Sequence, residues 1–403
     1  MSEVASKIAA EIKEKGAIPF ERFMTLALYC PIYGYYEKEG DSIGRRGDYY
    51  TSVSVGSLFG ELLGFQFAEW LQENTGWSTV RNVPGTEAKP GGRAEAMRVF
   101  EAGAHDGRLA RDVLGWLREH RAGLFDLLEY WIVEPSERRR GWQEQTLGEF
   151  GTKVRWVREL AGLTGTTDAV APVPNTAGLR GIVFSNELLD AMPMRRLGWD
   201  AKKGVWFEWG VTLRADRFVW TRLAGGELGE RNQGLGQPLP NSPWPLPMGK
   251  EILEMLPDGF STEICPAAEK WCYMTAGALE AGKLLTIDYG LTTEEIFRPE
   301  RKEGTLRGYC HHQPNSDVLA HPGEQDITAH VNFSAIRTAG ESAGLKTDAF
   351  LTQAQFLTRI AARIWENPGS FGEWTPGRKR QFHTLTHPEH LGRPFRVLVQ
   401  SRT

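Results

Sequence analysis

Arg98-Val-Phe-Glu-Ala-Gly-Ala-His-Asp-Gly-Arg-Leu109 decides how this chain is read. Val99 and Phe100 form the short apolar run of a buried strand, Glu101 ends it, and a glycine-bearing turn opens into a helix. Gly103 and Gly107 let the backbone turn sharply and a ligand come close, and the following helix offers N–H groups without intrahelical partners. The spacing Glu-x-Gly-x-x-x-Gly fits a loop that holds a nucleotide-type ligand. It equally fits an ordinary strand–helix turn. It is not the dinucleotide fingerprint Gly-x-Gly-x-x-Gly, because His105 stands at the second glycine.

Working outward, strands and helices alternate. A strand over 98–104 leads to a helix over 107–120, with Leu109, Val113, Leu114 and Leu117 as its apolar stripe. A strand over 130–134 ends in Glu134-Pro135 and precedes a helix over 136–149. A strand over 154–160, a Gly/Thr/Pro loop and a strand over 181–185 ending in Ser185-Asn186-Glu187 follow. The pattern resumes with a helix around 267–281, a strand from Lys283 that ends in Asp288, and late strands near 345–351 and 395–400. This alternation predicts an α/β fold, a doubly wound, mostly parallel, seven-stranded sheet of Rossmann-like type. Such sheets bind ligands beyond the carboxyl ends of their strands. Glu101, Glu134 and Asn186–Glu187 all fall at such ends, so separate strands bring acids to one edge.

The rest of the chain divides around this core. Residues 1–74 read as an N-terminal helical cap: an amphipathic helix over 2–15, and a second helix from Ile18 with Pro19 in its first turn. The stretch Tyr29-Cys-Pro-Ile-Tyr-Gly-Tyr-Tyr36 is either a packed surface loop or a lid over a site. Asp48, Thr51 and Ser52 lie in a polar turn that can cap the next helix, near Ser57. Residues 75–97 read as an exposed insertion, 98–194 as the first part of the core, 195–250 as a β-rich insertion and 251–403 as the second part of the core.

Composition narrows the class. A formal charge of −4 and a pI near 6.2 argue against a general nucleic-acid binder. The four cysteines, Cys30, Cys265, Cys272 and Cys310, contain no Cys-x-x-Cys pair, which favours reduced thiols over a disulfide framework or zinc ribbon. No apolar run approaches the ~20 residues that span a membrane. The N-terminal stretch carries Glu3, Glu11 and Glu14 among its lysines, unlike a signal or transit peptide, so the expected location is cytoplasmic. His383, His387 and His390 have a metal-like spacing, but Pro388 interrupts the helix that would align them, and no metal is assigned.

An acid two residues before a glycine turn, with a second acid ending the next strand, suits a ligand that joins an amino-acid tail to a ribose. Backbone N–H groups and a carboxylate hold the tail, and Glu134 accepts the ribose hydroxyls. Glu187 and Asp190, three residues apart, share one face of a helical turn. There they either orient a cationic acceptor such as a guanidinium or cap a helix N-terminus.

This layout resembles the class I S-adenosylmethionine (SAM) methyltransferases, which align a nucleophile with a sulfonium methyl. More specifically, the chain resembles the MidA-like family, whose mitochondrial members assist respiratory complex I assembly by methylating an arginine of one subunit. The matching segments run in family order. They are Phe23-Met…Ala27-Leu-Tyr…Pro31…Gly34-Tyr-Tyr, Gly47-Asp-Tyr-Tyr-Thr-Ser…Phe59-Gly-Glu, Glu101-Ala-Gly and Val133-Glu-Pro-Ser. Asn186-Glu-Leu-Leu-Asp-Ala-Met-Pro, Ile287-Asp-Tyr-Gly, Gly304-Thr-Leu-Arg-Gly-Tyr and Pro322-Gly-Glu-Gln-Asp-Ile-Thr-Ala-His-Val-Asn-Phe complete the set. The resemblance implies SAM as cofactor and a protein substrate, with no nucleic acid and no membrane span. It implies that Gly47, Asp48, Thr51 and Ser52 close over the cofactor, that Glu101 and Gly103, with Gly107, form the cofactor loop, and that Glu134 takes the ribose. Asn186, Glu187 and Asp190 then face the methyl-transfer site, and His330 shapes the substrate side.

Two departures stand out. The family loop usually reads Gly-Pro-Gly after the acid, whereas this chain has Gly103-Ala-His-Asp-Gly107. The family's Thr-Ser-Pro-Glu is Thr51-Ser-Val-Ser54 here. The alternative reading is a non-catalytic assembly protein on a methyltransferase fold; a nucleotide enzyme of Rossmann type is disfavoured by the absent fingerprint. The acceptor, the degree of methylation and the oligomeric state are open at this point.

Overall fold

The computed structural model describes residues 2–38, 51–73, 97–160, 178–228, 250–310 and 313–403. Gly47 and Asp48, almost all of the expected 75–97 insertion, and the end of the β-rich insertion lie outside the described residues.

Ser2 caps α1 (Glu3–Lys15) by accepting the Ala5 N–H at 3.2 Å, and Gly16, at φ +79°, ends it. β1 (Ile18–Pro19) and α2 (Phe20–Tyr29) follow. The helix expected from Ile18 therefore starts two residues late. Pro19 keeps an extended backbone, and Ile18 and Pro19 pair with Val211 and Gly210. Next come α3 (Leu58–Glu73), β2 (Met97–Ala102), α4 (Arg108–His120), α5 (Ala122–Leu127), β3 (Leu128–Val133), α6 (Glu137–Leu147), β4 (Val154–Val157) and β5 (Leu179–Asn186). The middle of the chain forms β6 (Arg195–Asp200), β7 (Val205–Arg214), β8 (Arg217–Leu228), α7 (Lys250–Met255), β9 (Ser261–Ile264), α8 (Pro266–Ala278), β10 (Leu279–Leu291) and α9 (Thr293–Ile296). The C-terminal part holds β11 (Arg307–Cys310), β12 (Gln313–Asn315), β13 (Asp326–Thr328), β14 (Val331–Asn332), α10 (Phe333–Ser342), β15 (Lys346–Thr352), α11 (Gln353–Glu366), α12 (Pro376–Thr386) and β16 (Phe395–Arg402).

The chain forms two compact units, one from residues 1–50, 189–273 and 289–342, the other from 51–188, 274–288 and 343–403. These bounds run differently from the segments drawn on the sequence. α3, grouped there with the helical cap, belongs to the second unit. It is apolar on nearly every side, and its Phe65 meets Trp116 of α4 and Phe371 edge-on.

The second unit is built on a mixed sheet in the order β15-β16-β10-β5-β2-β3-β4. β4/β3, β3/β2, β2/β5 and β5/β10 are parallel, and β15/β16 is antiparallel. The far end of β10, in the first unit, also pairs with β14, making eight strands in hydrogen-bonded continuity where seven were expected. A two-residue strand leaves no periodicity to read. Register carries the functional consequence: Ala102 lies opposite both Val133 and Ser185, and Asn186 lies opposite Ile287. The carboxyl ends of β2, β3, β5 and β10 therefore share one edge.

The first unit has a five-stranded antiparallel sheet, β1-β7-β6-β9 with β8 on β7, and a three-stranded one, β12-β11-β13. Its main core gathers Ile8, Phe20, Phe23, Val211 and Ile327, all buried. No described helix is long and apolar enough to cross a membrane.

Candidate active site

In the second unit β2 ends in the loop that opens α4. Gly103 (φ +80°) is required there twice over, because a Cβ would also sit 3.0 Å from Leu188 in the turn after β5. His105 takes φ +47°. The main chain there is left-handed, at a cost of about 1–2 kcal/mol for a residue with a Cβ. Gly107 precedes α4, and Asp106 Oδ1 caps the helix by accepting the Arg108 N–H at 3.2 Å, so it is the next N–H groups of the first turn that lack an intrahelical partner. Glu101 is buried and its Oε2 accepts the Tyr130 hydroxyl at 2.7 Å. Burial pushes its carboxyl up to about 7, further helped by Asp106 and opposed by the Tyr130 bond.

Glu134 sits just past β3, buried. Its Oε1 accepts the Ser136 N–H at 2.8 Å and pairs with Arg139 at 3.2 Å, while Oε2 accepts from Gln143 at 2.9 Å. The same Gln143 amide nitrogen donates to the His105 carbonyl at 2.9 Å, and its oxygen accepts from Trp156 at 3.0 Å. Gln143 thereby ties the loop after β2 to the acid after β3. Sequence reasoning missed it, since a single glutamine on a polar helix carries no periodic signal.

Past β5, Glu187 adopts φ +53°, a strained backbone for a residue with a side chain. Its N–H donates to the Ile287 carbonyl at 2.9 Å, and its Oε1 accepts from Ser52 N at 3.2 Å and Asn186 Nδ2 at 3.1 Å. Ser52 is buried, with its hydroxyl on Gln353 at 3.0 Å. Thr51 and Ser54 close a small turn through reciprocal bonds of 3.0 Å between each N–H and the other's hydroxyl. Ser54, at the position of the family acid, is therefore a turn residue. Ser52, Asn186 and Glu187 form one bonded group, with the Thr51–Ser54 turn beside Ser52; Glu101, Gly103, Gly107 and Glu134 lie around the neighbouring loop, and Leu188 packs on Gly103.

Asp190 and His330 belong to the first unit. Asp190 is buried, and its carbonyl accepts the Ala329 N–H at 3.1 Å. Tyr289 bonds through its hydroxyl to Thr328 and meets the His330 ring edge-on at 5.0 Å. Burial, and then the Asp190 charge, raise the Tyr289 hydroxyl well above its usual range. His330 is lowered to about 4, first by burial and then by Arg301 and Arg307, so it is neutral at pH 7. The tyrosine-rich turn is packed here: Tyr29 donates to the Ala191 carbonyl at 2.9 Å and Tyr36 to Asp326 at 2.6 Å. Tyr289 and Asp326 lay inside motifs already recognised, and only their partners were invisible.

The rings of His383, His387 and His390 stand 5.2 and 4.7 Å apart in sequence order, and α12 ends at Thr386, before Pro388. Among the described residues no three His, Cys, Asp or Glu side chains are arranged to hold a metal. His311 and His312 lie outside the described residues.

A glycine-bearing loop that opens a helix lies between two acids, on the carboxyl edge of a largely parallel sheet, a layout that suits an amino-acid-bearing nucleoside. Residues 68–351 match the family described as "Putative S-adenosyl-L-methionine-dependent methyltransferase", and the chain belongs to that family. Its cofactor is SAM. Among similar proteins are the mitochondrial protein arginine methyltransferase NDUFAF7 homolog of Drosophila melanogaster and NDUFAF7 of Danio rerio. The first is 27% identical over 98% of this chain and 84% of its own length; the second is 24% identical over 97% and 85%. A "likely methyl transferase" from Burkholderia thailandensis, solved bound to S-adenosyl-homocysteine, is 29% identical with a TM-score of 0.75, over 99% of this chain and 92% of that one. The expected cytoplasmic location is corrected by these comparisons: the animal relatives are named as mitochondrial proteins. An acid-containing N-terminal helix therefore does not decide the compartment.

Proposed function

We propose that this methyltransferase acts on an arginine side chain of a partner protein. The observation that carries the reading is Glu187, held in a strained backbone at the sheet edge by Ser52 and Asn186. Relatives named as protein arginine methyltransferases support the acceptor class. So does the chemistry, since a guanidinium is best received by carboxylates in bidentate fashion.

SAM supplies an electrophilic methyl on a sulfonium. Glu101 receives the ammonium of the methionyl tail beside Gly103 and Gly107, and Glu134 accepts the ribose hydroxyls in place of part of its present bonding. Thr51 and Ser52 close over the cofactor. Asn186 and Glu187 orient the guanidinium and offset the charge that develops as its nitrogen is alkylated. His330, neutral at working pH, shapes the acceptor side without adding a like charge. We further infer a doubly wound core, supported by the strand order, and an acceptor-recognition role for the β-rich insertion. The left-handed turn at His105, a form that glycine takes readily, favours an active enzyme over a non-catalytic assembly protein.

Glu187→Gln tests the reading. Methyl transfer from tritiated SAM to a pool of arginine-centred peptides should fall about 100-fold, with the Kd for SAM within about twofold. Undiminished transfer would remove Glu187 from the reaction.

A further inference from the structure

Glu263, near the end of β9, is singled out by no motif, yet it organises two of them. Its side chain is 4% exposed. Oε2 accepts the Thr305 N–H at 2.7 Å and the Thr305 hydroxyl at 3.1 Å. The Thr305 hydroxyl oxygen in turn accepts the His330 N–H at 3.1 Å. Gly304, at φ +72°, lets the Gly304-Thr-Leu-Arg-Gly-Tyr segment come this close, since a Cβ there would lie 2.5 Å from the Glu263 carboxylate. A carboxylate thus reaches the His330 main chain through one hydroxyl.

A second set of observations concerns the ring. Glu263 and His330 line one small cavity of about 30 Å³, together with Cys265, Glu269 and Asn332. Glu263 Oε1 and His330 Nδ1 are both buried and have no hydrogen-bond partner among the described residues. Arg196 stands 3.7 Å from that oxygen, its guanidinium over the Trp220 ring at 4.9 Å. At that distance the two form an ion pair and not a hydrogen bond. A cavity of this size accommodates one water, and two buried polar atoms left unmatched would each cost about 1–3 kcal/mol.

We propose that Glu263 is a positioning residue for His330, fixing its main chain through Thr305 and its imidazole through a single water in this cavity. The proposal rests on His330 facing the acceptor. Every atom in it lies in the first unit.

The test uses the full chain with Glu263→Gln, Thr305→Val, their double variant, Thr305→Ser and His330→Ala. Two quantities are read: methyl transfer to the arginine-centred peptide pool, and the ring ¹⁵N signals of His330 in histidine-labelled protein. Glu263→Gln and Thr305→Val should each lower kcat about tenfold, with the KM for SAM within twofold. The double variant should be no worse than the weaker single one, because both act through one chain. Thr305→Ser, which keeps the hydroxyl, should restore kcat. The His330 Nδ1 signal should move in Glu263→Gln, and an unmoved signal overturns the proposal whatever the kinetics. If the signal moves while His330→Ala transfers methyl normally, positioning stands and the acceptor-side reading of His330 falls. Should Glu263→Gln fold poorly, Thr305→Val against Thr305→Ser decides: equal kcat and equal ring signals in those two overturn the proposal.

Discussion

Replacing Glu101 by Gln should change how both stability and cofactor binding depend on pH. Burial raises this carboxyl from 4.5 to about 7, so the folded protein holds the proton more tightly than the unfolded chain does. Between those values the native state binds more protons, and stability falls as pH rises through the window. At ~1.4 kcal/mol per pH unit, the loss is roughly 3 kcal/mol by pH 7, with nothing further above it. Glu101→Gln mimics the protonated acid beside Tyr130 and removes that slope. Subtracting variant from wild type cancels the opposite trend from His330, whose lowered value costs stability as pH falls from 6.5 towards 4. Urea denaturation of both proteins from pH 4.5 to 8 measures the difference. If ionised Glu101 receives the ammonium of SAM, wild-type affinity should also weaken about tenfold between pH 8 and pH 6, and the variant's should not. A difference that does not fall with pH between 4.5 and 7 would refute the burial argument. Parallel affinity profiles would refute the ammonium contact.

Two further outcomes follow from the loop. Glu134→Gln should weaken SAM binding by about 1–3 kcal/mol in calorimetry, as one charge-assisted contact to the ribose is lost; unchanged affinity would place the ribose elsewhere. His105→Gly should stabilise the protein by about 0.5–1 kcal/mol in denaturant titration, with the Kd for SAM no weaker than wild type, because the left-handed turn at φ +47° suits glycine. Destabilisation would mean that the imidazole contributes more than its backbone costs.

The sequence made the core legible because buried parallel strands read as apolar runs, and because each of β2, β3 and β5 has an acid or amide at or next to its carboxyl end that a pattern reader can see. The stripe Leu109, Val113, Leu114 and Leu117 placed α4 almost to the residue. What escaped was structure made by pairing rather than by period. Ile18–Pro19 became a strand through Val211 and Gly210, and Val331–Asn332 through Gly290 and Leu291. The same holds for the site. Glu101, Glu134 and Glu187 announce themselves at strand ends, whereas Gln143 and Glu263 reach across the chain to partners 38 and 42 residues away. A lone buried polar residue has no local signature, and its meaning appears only when its hydrogen bonds are counted.

Calorimetric titration of the folded protein with SAM and with S-adenosylhomocysteine, using NAD as control, tests the central claim most directly. Micromolar binding of both sulfur compounds and none of NAD is the predicted result. Absence of binding to either in a well-folded sample would mean that His105 has closed the pocket, and would contradict an active methyltransferase.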